Sequence, residues 1–187
     1  SRYLQEAGYF LSLRGENESA DKLMQTAIAN DNRNMEAYLT YAVWLIEQDR
    51  VENAMGVLKS AMSIEPEIIN ASLKLMDFFM LDEQQMSSAL PDRVEPHLIL
   101  AKHYFSQGLK QEAERSYVMA LKYISNEKNK QRADFMRVYK LYMHFHDYAK
   151  ALQVIQRAIK YFPEDEKLIC IKKDLGGKIG GVSQQGK

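Results

Sequence analysis

The residues best suited to chemistry gather toward the C-terminal end. His144-x-His146-Asp147 sets two imidazoles and a carboxylate close together, with His97 and His103 elsewhere. Zinc requires three or four convergent ligands. His144 falls on a predicted helix and His146 in the turn after it, so the spacing does not bring them together. Gly181-Val182-Ser183-Gln184-Gln185-Gly186-Lys187 imitates the start of a phosphate-binding loop. Such a loop needs a preceding strand, a following helix and a Ser or Thr after the Lys, and the sequence supplies none of them. Cys170 is the single cysteine; with no histidine at a recognisable spacing it reads as a structural thiol, and no internal disulfide can form. No Ser/His/Asp triad motif or paired carboxylate stands out. The expectation is a non-enzyme with no catalytic residues, no cofactor and no metal.

The elements that carry these residues are bounded by composition. The chain has 187 residues, 46% hydrophobic and 27% charged, with four prolines and nine glycines. That balance excludes a disordered tail, a collagen-like rod and a mucin-like stalk. Lys plus Arg and Asp plus Glu each total 25, so the chain lacks the global basic footprint of a nucleic-acid binder. Neutrality conceals a polarity: residues 1–93 hold 8 basic against 15 acidic side chains, and residues 94–187 hold 17 against 10. This favours electrostatic steering of a partner or head-to-tail self-association. No apolar run approaches the ~18 residues that span a bilayer, so no membrane contact is expected within this segment. The first residues lack a signal layout. The chain is expected in the cytoplasm, or in the periplasm if an upstream leader or anchor was removed.

Self-similarity sets the architecture. Gly8, Ala20, Met24 and Ala27 recur as Ala42, Ala54, Leu58 and Ala61, each 34 residues on. Ala101, Ala113, Tyr117 and Ala120 follow, then Tyr139, Ala151, Ile155 and Ala158. Each unit reads as two helices, with apolar residues at helical spacing (Tyr38, Tyr41, Ala42, Leu45, then Val51, Ala54, Leu58, Ala61) and a turn at Gly15, Asp49-Arg50, Gly108 or His146-Asp147. Asp49 with Glu52 suggests a capping box. Pro66 and Pro163 sit at unit junctions. No segment alternates long enough for a strand. The expected units are 1–34, 35–68, a short one at 69–93, then 94–127 and 132–165, with a capping helix at 166–175 and a flexible Gly-rich tail at 176–187.

These positions resemble the tetratricopeptide repeat (TPR) pattern of large and small residues. The matches are Leu4, Ala7, Gly8, Leu11, Ala20, Met24 and Ala27 in the first unit; Tyr38, Tyr41, Ala42, Leu45, Ala54, Leu58, Ala61 and Pro66 in the second; Leu100, Ala101, Tyr104, Gly108, Ala113, Tyr117 and Ala120 in the third; and Phe135, Val138, Tyr142, Ala151, Ile155, Ala158 and Pro163 in the fourth. Tyr139 departs from it, standing where Gly or Ala is usual. The resemblance implies an all-α, right-handed superhelix (α-solenoid) of about four full helix–turn–helix units. It also implies a protein-interaction scaffold whose first helices line a concave groove for a partner peptide or helix. By position the groove residues are Tyr9, Leu39, Val43, Ile46, Leu73, Asp77, Met80, Lys102, Phe105, Met136, Lys140 and Met143, an apolar, methionine-containing lining that can adapt to a ligand. Superhelix pitch decides which flank is buried, so Leu39, Val43, Leu73 and Met136 read equally as core. The Lys/Asn clamp that some TPR domains use for chaperone tails is missing from the first two units, where Gln5, Tyr9 and Thr40 stand instead. Lys102, Arg137 and Lys140 could hold an acidic group further along. Bacterial proteins of this kind also serve as docking modules of envelope-assembly, pilus or polysaccharide-export systems, or of larger enzymes, and a start inside a helix suits an excised fragment.

Overall fold

A computed structural model describes residues 2–126 and 130–182 of the chain. Among them are eleven α-helices, one short 3-10 turn and no strand. They fall into two compact units, Ser1–Asp92 and Arg93–Lys187. The first holds α1 (Arg2–Leu13), α2 (Asn17–Asn30), α3 (Met35–Glu47), α4 (Val51–Ile64), α5 (Ile69–Phe78) and α6 (Glu83–Ser88). The second holds α7 (Val94–Ser106), α8 (Lys110–Asn126), α9 (Arg132–His144), α10 (Tyr148–Tyr161) and α11 (Glu166–Val182). Helices pair as α1 with α2, α3 with α4, α7 with α8 and α9 with α10. The fold is all-α, built of paired helices.

Small side chains set how closely each pair can approach. Ala20, Ala27, Ala42, Ala54, Ala61, Ala101, Ala113, Ala120, Ala151 and Ala158 are all fully buried. At Gly8 a Cβ would lie 3.0 Å from Met24 Cγ and 3.3 Å from the Ala20 carbonyl oxygen, so nothing larger fits without displacement. Leu45, Leu58, Leu100, Phe135 and Ile155 fill the remaining space with no exposed surface, as dense core packing requires.

Every first helix ends in the same way. Glu16, Arg50, Leu109 and Asp147 donate their backbone N–H to the carbonyls of Leu11, Leu45, Tyr104 and Tyr142, five residues back, at 2.8–3.0 Å. The residue just before each donor is left-handed: Gly15, Asp49, Gly108 and His146 have φ of 77°, 58°, 78° and 55°. This closure satisfies carbonyls that the helix end leaves open and reverses the chain within a few residues. It also corrects the capping box expected at Asp49 and Glu52. Asp49 is the left-handed residue, Arg50 precedes α4, and no side chain caps that helix. The capping box occurs instead at α6, where the Asp82 carboxylate accepts from the Gln85 N–H and the Gln85 side chain accepts from the Asp82 N–H.

α11 runs past the expected boundary at residue 175, and Gly176–Val182, assigned to a flexible tail from sequence, is helical. Leu168, Ile171, Leu175 and Ile179 recur at helical spacing; Leu168 and Leu175 are buried in the core of the second unit and Ile171 packs against it. Lys178 Nζ lies 5.5 Å from the Tyr148 ring centre. This tertiary packing outweighs the roughly 1 kcal/mol by which each helical glycine is disfavoured. Residues 183–187, with the rest of the expected tail, lie outside the described residues.

Asp21 joins the first two hairpins. Its carboxylate accepts from Tyr41 Oη, from Arg50 Nη1 at 2.8 Å and from Gln25 Nε2 at 3.0 Å. Beside it Trp44 Nε1 donates to Ser12 Oγ at 2.6 Å. Burial pushes the Asp21 carboxyl up, but the hydrogen bonds from Tyr41, Arg50 and Gln25 and the Arg50 charge outweigh it and leave the carboxyl below its ordinary 3.8.

Two tests follow from these features. Gly108→Ala forces a Cβ into a left-handed turn and should lower stability by roughly 1–2 kcal/mol, whereas Gly56→Ala, in the exposed interior of α4 with open space around it, should raise it by up to about 1 kcal/mol; urea denaturation distinguishes them. Because the folded Asp21 pKa is depressed, its contribution is fully present above 3.8 and is lost as pH falls through the lowered value. Asp21→Asn should therefore destabilise the chain at neutral pH, and its urea midpoint should converge with the wild-type midpoint in acid.

Candidate functional site

The left-handed closure provides a register for the first helices. Leu39, Val43 and Ile46 share one half-buried face of α3, and Tyr9 occupies the matching face of α1, 49% exposed. α5 shifts this register. Its closure runs from Leu81 N–H to the Met76 carbonyl, with left-handed Met80 (φ 54°) between them. Counting back from Met80 puts Leu73 at the packing position held by Gly8, Ala42 and Ala101, and Leu73 is 2% exposed. Leu73 is therefore core, and it offers no surface to a partner. Met80 lies beyond the last residue of α5, in the turn and 90% exposed, so it belongs to no helix face. Asp77 keeps its place on α5 and is half-buried.

In the second unit three of the expected groove residues converge. α7 and α9 enclose a cleft of about 500 Å³ that includes Lys102, Phe105 and Lys140. Its floor is apolar and buried: Leu98 and Leu141 come from the facing helices, and Tyr117 reaches through from α8. Burial, with a smaller contribution from Tyr142, pushes the Tyr117 phenol up to about 12, so it stays uncharged at any physiological pH. The rim is cationic. Lys102 and Lys140 are exposed; Arg137 pairs with Glu95 and lies 3.8 Å from Asp134. Phe105 is held edge-on by His144 and Phe145, each with ring centres 4.9 Å away, so it is wall as well as contact surface.

Met143 faces a neighbouring cleft of about 430 Å³ between α9 and α11, with Tyr139, Ile171 and Lys178. Tyr139, the departure from the small-residue pattern, turns its ring into this space, and burial followed by the Asp174 charge raises its pKa. Met136 is half-buried and packs against the core. On the other helix layer, α8 and α10 bound about 490 Å³, but there Lys150 is held by Glu114 and Asp147. The α7–α9 cleft differs in setting two exposed lysines, Lys102 and Lys140, over an apolar floor. Sequence reasoning missed Tyr117 and Leu141 because both belong to core positions of the repeat; only the gap between α7 and α9 exposes their edges.

The histidines diverge. His144 packs on Phe105, His146 Nδ1 lies 3.2 Å from Tyr148 Oη, and His97 is buried against Tyr123 with ring centres 4.9 Å apart. Among the described residues no group of three or more His, Cys, Asp and Glu could hold a metal ion, and no helix is long and apolar enough to cross a membrane. Cys170 is exposed on α11, not packed as a structural thiol would be.

No family model and no curated protein matches the chain. Among solved structures, a thermophilic TPR protein of Thermus thermophilus is 16% identical, with a TM-score of 0.40 over 93% of this chain and 97% of that one. A tetratricopeptide repeat protein from Parabacteroides merdae is 17% identical, with a TM-score of 0.37 over 98% of this chain and 75% of that one.

Proposed function

We propose that the chain is a non-catalytic protein-interaction scaffold whose α7–α9 cleft receives an acidic, partly apolar segment of a partner protein. The observation that carries this reading is the joining of an apolar floor (Leu98, Tyr117, Leu141) to a rim with exposed Lys102 and Lys140 in one cleft. Burying apolar side chains on the floor supplies affinity, about 25 cal/mol per Å² before the costs of association. The lysines add steering and orientation more than raw affinity. Tyr9, Leu39, Val43, Ile46 and Asp77 lie on first helices of the other unit, and Met143 adds the α9–α11 cleft. The resemblance to TPR proteins, which bind partners on these helices, supports the same reading. No reacting group is required of the site.

Peptides selected from a random library on the wild-type chain test this. The enriched sequences should combine Asp or Glu with large apolar residues. Reversing both charges, Lys102→Glu with Lys140→Glu, should weaken those peptides at least tenfold, which corresponds to about 1.4 kcal/mol, and raising salt should weaken wild-type binding in the same direction. Both lysines are exposed, so thermal stability should hardly change. Enrichment of basic sequences, or affinity indifferent to the double reversal, would contradict the proposal.

A further inference from the structure

The turn that ends α5 departs from the other first-helix ends in its residue types. Phe78, the last residue of α5, is 79% exposed, and the left-handed Met80 is 90% exposed. The matching residues in α3, α7 and α9 are Glu47, Ser106 and His144, then Asp49, Gly108 and His146, and all six are exposed. In α1 they are Leu13 and Gly15, exposed as well. The α3–α4 and α9–α10 hairpins have helices packed before and after them and still leave both positions open, so an adjoining hairpin of the same chain does not cover them. A methionine at positive φ is itself disfavoured, so Met80 does not serve the local backbone. Phe79, half-buried, braces Phe78 edge-on with ring centres 5.2 Å apart. Two large apolar side chains held in solvent at one turn mark a contact surface.

The charges around this turn complement those of the α7–α9 cleft. From Asp77 to Glu83 the chain carries three carboxylates, Asp77, Asp82 and Glu83, and no cation. Lys74 lies one turn back on α5, which leaves residues 74–83 with one basic against three acidic side chains. Asp82 stays exposed while it caps α6. The cleft is lined by Lys102, Arg137 and Lys140 against Glu95, with Asp134 beside Arg137, and is positive with or without that aspartate. Opposite charge therefore exists at the two surfaces themselves. The cleft volume of about 500 Å³ lies in the range that encloses a small ligand, so it suits a turn presenting two large side chains.

We propose that the partner received by the α7–α9 cleft is a second copy of this chain, whose Phe78–Met80 turn seats both side chains on the Leu98–Tyr117–Leu141 floor. Asp77, Asp82 and Glu83 then oppose Lys102 and Lys140 on the rim. The inference rests on the reading of that cleft given above. Turn and cleft are different surfaces and each copy offers one of each, so assembly closes into a ring, of which a reciprocal dimer is the smallest, or continues.

Sedimentation of the full chain over a range of concentrations supplies the test. The wild type should form dimers or larger species and shed them as salt rises. Two double variants each remove one half of the contact: Phe78→Ser with Met80→Gly on the turn, and Lys102→Glu with Lys140→Glu on the cleft. Glycine adopts positive φ without strain and all four side chains are exposed, so both proteins should keep the wild-type circular dichroism spectrum. Each alone should show a dissociation constant raised at least tenfold. Mixed in equal amounts they should form a heterodimer that stops at two copies, because the turn of the cleft variant still meets the cleft of the turn variant. A wild type that is monomeric at every concentration, its turn held in its own cleft or in none, would overturn the inference. So would a turn variant that assembles normally, or a mixture that forms no complex. If the library-selected peptides still require Lys102 and Lys140 in those cases, the reading of the cleft stands and only the second copy as its partner falls; if they do not, that reading falls too.

Discussion

Everything in this molecule depends on two helices approaching closely at positions kept small. Gly8 against Ala20 and Met24 is one instance, and fully buried alanines occupy the corresponding positions in the other hairpins. Close approach has a geometric partner in the left-handed turn that ends each first helix, through Gly15, Asp49, Gly108 or His146. The small residues let the pair touch, and the turn delivers the second helix at the angle where touching is possible. Neither suffices alone: a hairpin without the turn would splay, and one without the alanines would be overpacked, at a cost of about 1–3 kcal/mol per site. A lone hairpin still leaves apolar surface uncovered, so the hairpins must stack on one another. The Asp21–Tyr41–Arg50 network shows polar groups taking part in that stacking.

The same constraint decides what is left for binding. Once core positions are committed to helix contacts, the remaining face of each first helix is free to vary. In the second unit lysines stand above an apolar gap between α7 and α9, lined by Leu98, Tyr117 and Leu141. The cleft and the core therefore share residues. Phe105 both lines the cleft and packs on His144 and Phe145, so its truncation would disturb both at once, whereas the two lysines can be changed with little effect on the core.

How much of this could be read from the sequence depended on how regular the local chemistry was. The small-residue positions keep the same spacing inside each unit (Gly8, Ala20 and Ala27; Ala42, Ala54 and Ala61; Ala101, Ala113 and Ala120), and they are where the structure puts the helix contacts. The α7–α9 members Lys102, Phe105 and Lys140 were legible for the same reason. The short unit was not. Its register is set by a left-handed methionine, a residue type that gives no turn signal, and Leu73 and Met80 were misplaced as a result. Asp49 misled in the opposite way: its side chain suits a cap, yet the backbone needed it for the turn, and an aspartate tolerates the left-handed region better than most residues. The helical stretch after Gly176 was hidden by glycines whose weakness is offset by the packing of Leu175 and of Lys178 over Tyr148, a tertiary effect that local propensity cannot register.

The central claim is that recognition resides on the first-helix face of the second unit. Amide chemical-shift mapping of the isotope-labelled chain, titrated with an acidic–apolar peptide selected on it, tests that most directly. The perturbed amides should cluster on α7 and α9 around Lys102, Phe105 and Lys140, with α8 and α10 shifting little outside the neighbourhood of Tyr117. Perturbations centred on the Glu114–Lys150 face, or spread evenly over the chain, would contradict it.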